Sequence, residues 1–173
     1  KPNTHRVALN NYFKTDNVYT RWFNSYEHVL NGMEASYFSN KGMKIRAIHT
    51  DICSPWATCP TWSKLPKEVK NELFAEGKAQ WEHLVKELKP DVIIASTGKD
   101  YIKALGIEST HKKLCEFKTK KDGKPRKRPL VIDIYKYNGI PFIAGGAGMV
   151  PFALLSNNQK EELGKNIRKK VLK

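Results

Sequence analysis

"ELKPDVIIASTGKDYIKAL", Glu87 to Leu105, is the stretch whose reading decides the fold. A helical pattern ends at Pro90, which cannot continue a helix. "DVIIAST" follows, a short continuous apolar run of the type buried on both faces of a parallel sheet. "GKDYIKAL" then reads as a short helix leaving that strand. Upstream, "PKEVKNELFAEGKAQWEHLVKELKP" is helical, with Val69, Leu73, Trp81, Leu84 and Leu88 on one face and Gly77 marking a kink or close packing. "NVYTRWFNSYEHVLNG" is a second helix, with Asp16 to cap it and Gly32 to end it. "KIRAIHTD" and "IPFIAG" read as further strands. "KLCEFK" and "PLVIDIYKY" read as hairpin arms around the tip "TKKDGKPRKR", with Asp122-Gly123 as the turn. Ser156 and Gln159 form a capping box for a last helix that aligns Leu163, Ile167 and Val171. Strands alternating with helices predict a single three-layer α/β/α domain over residues 1–173, with a largely parallel central sheet. The basic hairpin, 111–136, is then an insertion.

Charge narrows the partners. The 173 residues carry 31 Lys+Arg against 17 Asp+Glu, a net +14. The window His111 to Leu130 holds nine cations and two acids, so half the excess lies in twenty residues. A concentrated basic patch is the electrostatic footprint of a polyanion, most often nucleic acid, and its bland counterpart is a solvated loop. Lys112, Lys113, Lys120, Lys121, Lys124, Arg126, Lys127 and Arg128 are the candidate phosphate contacts. No apolar run approaches the roughly 20 residues that span a bilayer, and the opening "KPNTHRVALN" has no signal-peptide pattern. Three cysteines, Cys53, Cys59 and Cys115, suit free thiols in a reducing, cytoplasmic setting. Cys53, Cys59 and His49 lack a fourth ligand for zinc, so no metal or other cofactor is expected.

In an α/β fold, sites gather at the carboxyl ends of strands. Three such ends are chemically loaded: His49 to Ser54, Ser96 to Lys99, and Gly145 to Val150. His49 and Asp51 would share one side of an extended strand. Asp51 alternatively serves as a turn residue bonding the backbone, and His49 as a satisfied core histidine. Gly145, Gly146 and Gly148 let backbone approach a phosphate closely, and Met149 and Val150 are apolar enough to act as a wedge in stacked bases. Tyr12, Phe13, Tyr37, Phe38, Trp56 and Trp62 are available as pocket walls.

In order and spacing, "AIHTDICSPWATCPTWSKL", "LVKELKPDVIIASTGKDYIKAL" and "PFIAGGAGMVPFALLS" with its closing helix "NNQKEELGKNI" resemble the uracil-DNA glycosylase superfamily, over about Lys44 to Val171. The resemblance implies a glycosylase-like three-layer domain and a monofunctional enzyme that hydrolyses the N-glycosidic bond of a flipped base, in duplex or single-stranded DNA. It implies Asp51 or Asn3 for the water or the cationic sugar, and His49 for the base or leaving oxygen. It also implies an aromatic pocket and a DNA-inserting loop at Gly145 to Val150. Two departures stand out. The family's first motif places Asp or Asn before a proline, where this chain has Lys1 before Pro2; either the first strand lies upstream or Asn3 substitutes. The last motif's His is absent from "GGAGMVP". An ionised Asp51 only accepts hydrogen bonds, which suits the amine of cytosine. A modified cytosine, as in some phage DNAs, is therefore the expected base and uracil the second; the resemblance implies antiviral defence or base excision as the setting. A catalytically silent module that reads an unusual base in DNA is the alternative, and a basic RNA-binding protein is a third.

Overall fold

The computed structural model describes residues 7, 11–14, 20–38, 42–43, 45–53, 59–107, 112–146 and 150–172. The elements are α1 (Thr20–Gly32), β1 (Ala35–Ser36), β2 (Ile45–Arg46), α2 (Lys67–Leu88), β3 (Ile93–Ser96), α3 (Lys99–Ala104), β4 (Lys112–Thr119), β5 (Pro125–Tyr137), β6 (Ile140–Gly145) and α4 (Asn157–Lys170). The chain divides into two compact units, Ile48–Asp91 and the remainder, Lys1–Ala47 with Val92–Lys173.

In the larger unit β1 and β2 pair in parallel, and a four-stranded sheet runs β3-β6-β5-β4. Only β3 and β6 are parallel there; β6–β5 and β5–β4 are antiparallel. The largely parallel central sheet expected from the sequence is therefore corrected to a mixed α/β arrangement. The cause is local. Tyr137 pairs with Ile140 across Asn138-Gly139, whose φ angles of 48° and 81° are those of a type I′ turn. That two-residue turn folds β6 straight back along β5. The basic hairpin forms as expected, with Gly123 at φ 82° and the Lys120 N–H donating to the Lys124 carbonyl at 2.7 Å.

The core lies where α1 and α4 meet the sheet. Val29, Leu114, Ile143, Leu163 and Ile167 are fully buried there, joined by Phe117, Ile132, Phe152 and Leu155. Strand residues alternate faces, so Phe142, beside Ile143 and 1% exposed, is buried on the opposite face. Both faces of β6 are thus covered, which explains its unbroken apolar run. The two helices touch backbone to backbone at Gly32 and Gly164: a Cβ on either would overlap a carbonyl of the other helix. Gly32 is therefore a packing residue, and the left-handed turn after α1 falls to Glu34 at φ 58°. The Ser156–Gln159 capping box is present in full.

In the smaller unit α2 buries Gly77, Trp81 and Val85, while Leu84 and Leu88 are 41% and 48% exposed. Its inward face is thus rotated from the one that Leu84 and Leu88 suggest. Lys89, at φ 46°, caps the helix before Pro90. No helix among the described residues is long and apolar enough to cross a membrane.

Candidate functional site

β2 ends at Arg46, so His49 and Asp51 stand on irregular chain beyond it rather than at a strand end. They still feel each other. Desolvation lowers the His49 pKa below its ordinary 6.5, and the Asp51 charge opposes that shift. The imidazole is consequently neutral at pH 7, able both to donate and to accept. Asp51 Oδ1 accepts from the Cys53 N–H at 3.1 Å, the bond of an Asx turn. The Cys53 thiol is pushed up to about 11 by burial and then by Asp51, so it is protonated at neutral pH. Trp62 opens a 3-10 turn, Trp62–Lys64, and is half-buried. Asn3 and Trp56 lie outside the described residues. Among the described residues, no three His, Cys, Asp or Glu side chains are grouped to hold a metal.

His49, Asp51 and Trp62 belong to the smaller unit; the other described candidates belong to the larger. There the expected aromatic residues converge. Phe13 stacks on Tyr37 with ring centres 5.0 Å apart and planes 8° from parallel, and meets Tyr12, Phe23 and Phe38 edge-on. Beneath them lies Glu27, 5% exposed. Its carboxylate accepts from Ser36 Oγ at 2.9 Å and from the Tyr37 N–H at 2.7 Å, which fixes the end of β1 under the cluster. Burial first, then Tyr26 and Glu27, hold the Tyr37 phenol well above its usual range, so it stays protonated.

Ser96 and Gly145 are register partners in the parallel pair, so the carboxyl ends of β3 and β6 lie side by side. Ser96 Oγ donates to the Gly146 carbonyl at 3.2 Å. Gly145 is buried against the Phe152 ring, in space that a Cβ would occupy. Gly148 and Met149 lie outside the described residues, and Val150 is half-buried. At Pro151 the carbonyl accepts from Ser25 Oγ at 2.7 Å, and Lys160 Nζ donates to that hydroxyl at 2.6 Å. Burial, and next the charge of Lys121, lowers the Lys160 pKa.

The hairpin cations are not equivalent. Lys112, Lys120, Lys121, Lys127 and Arg128 are exposed. Lys113 pairs with Glu116 at 3.0 Å, and Lys124 with Asp122 at 3.7 Å. Arg126 turns to carbonyls instead, donating from Nε to Thr119 at 2.8 Å and from Nη2 to Leu154 at 2.6 Å.

Ser25, Glu27, Leu154 and Lys160 stand at these places and were not singled out from the sequence. Lys160 sits three residues before Leu163 and seven before Ile167, on the apolar face of α4, and a cation there is a readable signal. Leu154, 56% exposed beside the 4% exposed Leu155, carries no such signal, because one of two adjacent leucines must turn outward. Comparison with protein-family models, with curated proteins and with solved structures returned no match to this chain.

Proposed function

We propose that this protein is a DNA glycosylase that hydrolyses the N-glycosidic bond of a modified pyrimidine, modified cytosine before uracil, in the cytoplasm and without a metal. The observation that carries the reading is the meeting of Ser96 and Gly145 at the carboxyl ends of two parallel strands. That edge is where ligands of α/β sheets bind, and the glycosylase-like three-layer arrangement predicts the DNA-inserting loop there. Three features of the same unit support it: a basic hairpin, glycine backbone, and the exposed apolar Leu154 bonded through its carbonyl to the hairpin residue Arg126. Cations for phosphates beside an apolar tip are the equipment of proteins that unstack a duplex. Leu154 is better exposed for the wedge than half-buried Val150.

In the reaction, water adds to C1′ as the C1′–N1 bond breaks, its electron pair leaves with the base, and the base takes up the proton that the water loses. Asp51, ionised, accepts from the cytosine amine or faces the cationic sugar. Asn3 is the second candidate for holding the water. Neutral His49 donates to an oxygen of the flipped base. The silent base-reading module is the second reading, favoured by the Asx-turn bond that occupies Asp51 Oδ1.

Incubation with duplexes carrying hydroxymethylated or glucosylated cytosine, or uracil, followed by mass spectrometry of released base, tests both. Release of modified cytosine faster than uracil, and its loss in Asp51→Asn, is expected. Binding without release of any base supports the silent module. Uracil released as fast or faster removes the cytosine assignment.

A further inference from the structure

The turn that carries Leu154 is held from outside. Phe152 has φ +51°, a left-handed conformation that a bulky residue holds only where its surroundings over-determine it. Its ring is 2% exposed, covers Gly145 and meets Tyr26 edge-on at 6.1 Å. The Leu155 N–H closes the turn on the Phe152 carbonyl at 2.9 Å. Phe152 and Leu155 thus face inward and Leu154 faces out. Two carbonyls of this turn find partners on other elements: Pro151 with Ser25, backed by Lys160, and Leu154 with Arg126. Arg126 also grips the Thr119 carbonyl, on the opposite arm of the hairpin. Gln159 Nε2 donates to that same carbonyl at 3.1 Å, while its Oε1 accepts from the Ser156 N–H in the capping box. The hairpin neck, the turn and the start of α4 therefore share one hydrogen-bonded frame with Arg126 at its centre.

We infer that Arg126 is a positioning residue and not a phosphate ligand. By holding the Thr119 and Leu154 carbonyls together, it fixes the Leu154 turn to the neck of the hairpin, so that wedge and lysines meet duplex DNA as one surface. This inference rests on the DNA-binding reading above. Hydrogen bonds from an ionised donor are roughly twice as strong as neutral ones. The rigid guanidinium fork serves two acceptors at once, which a lysine ammonium on a flexible stem does not reproduce.

The full chain tests this with duplex and single-stranded oligonucleotides over a range of salt, for wild type, R126A, R126K, L154A and the R126A/L154A double variant. Amide exchange at Leu155 is measured in parallel. R126A is expected to weaken duplex binding about tenfold, or about 1.4 kcal/mol, with the salt slope unchanged and single-strand binding little affected. R126K does not rescue. L154A matches R126A, and the double variant is no weaker than either, because both changes remove the same wedge. Leu155 exchange accelerates about tenfold in R126A through local opening. A salt slope reduced by about 0.9 in R126A, or additive losses in the double variant, would overturn the inference, since Arg126 would then contact phosphate directly. Unchanged Leu155 exchange overturns it too. A wild-type chain that binds neither oligonucleotide removes the DNA reading beneath it, whereas faster exchange in R126A would still establish the brace.

Discussion

His49 and Asp51 work as a pair only if each changes what the other does. A neutral imidazole beside an ionised carboxylate offers a donor and an acceptor within one short segment, the combination that distinguishes the edge of cytosine. The balance at His49 is between desolvation, which lowers its pKa, and Asp51, which raises it. Removing the Asp51 charge leaves desolvation unopposed. Asp51→Asn should therefore shift the His49 titration to lower pH, followed by NMR of the imidazole C–H signals. A midpoint that stays put or rises would mean that Asp51 does not act on the ring and that its role ends at the Cys53 turn. That Asp51 acts on His49 was readable from the sequence, but the backbone that carries them was not. Strand alternation suggested a shared face, yet β2 stops at Arg46, and coil geometry leaves no period to read.

At the scale of elements, the α1–α4 crossing decides how firmly the larger unit holds the hairpin. Gly32 and Gly164 let the two backbones touch, with the Gly32 Cα 2.8 Å from the position of a Gly164 Cβ. An alanine gains about 1 kcal/mol of helix propensity over glycine. At Gly164 it must also displace α1, because its methyl overlaps the Val29 carbonyl. Overpacking of this kind costs about 1–3 kcal/mol and more where backbone is the obstacle. Gly164→Ala should therefore lower Tm, by about 2–4 °C per net kcal/mol in a chain of this size. A raised Tm in a thermal melt would show that the helices separate freely. The capping box and the inner face of α4 were readable because caps and helical periods are local. The direction of β6 was not read from its own residues, since a strand buried on both faces shows an apolar run whichever way it pairs. Its direction was written in the turn before it, in Asn138-Gly139.

In the larger unit, the described cations are divided by geometry into those bonded to protein oxygens, those exposed beside a carboxylate, and those exposed without one. Arg126 and Lys160 bond to protein oxygens, and Lys113 and Lys124 have carboxylate neighbours. Lys120, Lys121, Lys127 and Arg128 project from the hairpin in exposed positions. Composition alone gives every cation the same weight, so this division had to come from three-dimensional placement. It makes a quantitative difference to DNA binding. Each phosphate contact releases condensed counterions, and the slope of log K against log salt falls by about 0.9 per contact in duplex DNA. Neutralising Lys120, Lys121, Lys127 and Arg128 together with glutamine should flatten that slope by as much as about 3.6 if all four touch phosphates. Neutralising Lys113 and Lys124 should change it by less than half as much, because each is already partly screened by its acidic neighbour. Fluorescence anisotropy on one duplex at several salt concentrations reads both slopes. Flattening in proportion to the charges removed, twice as much for four cations as for two, would show that the hairpin acts as an undifferentiated cloud of charge. No change in either would mean that its cations face only solvent, and the DNA surface would have to be sought on another part of the unit.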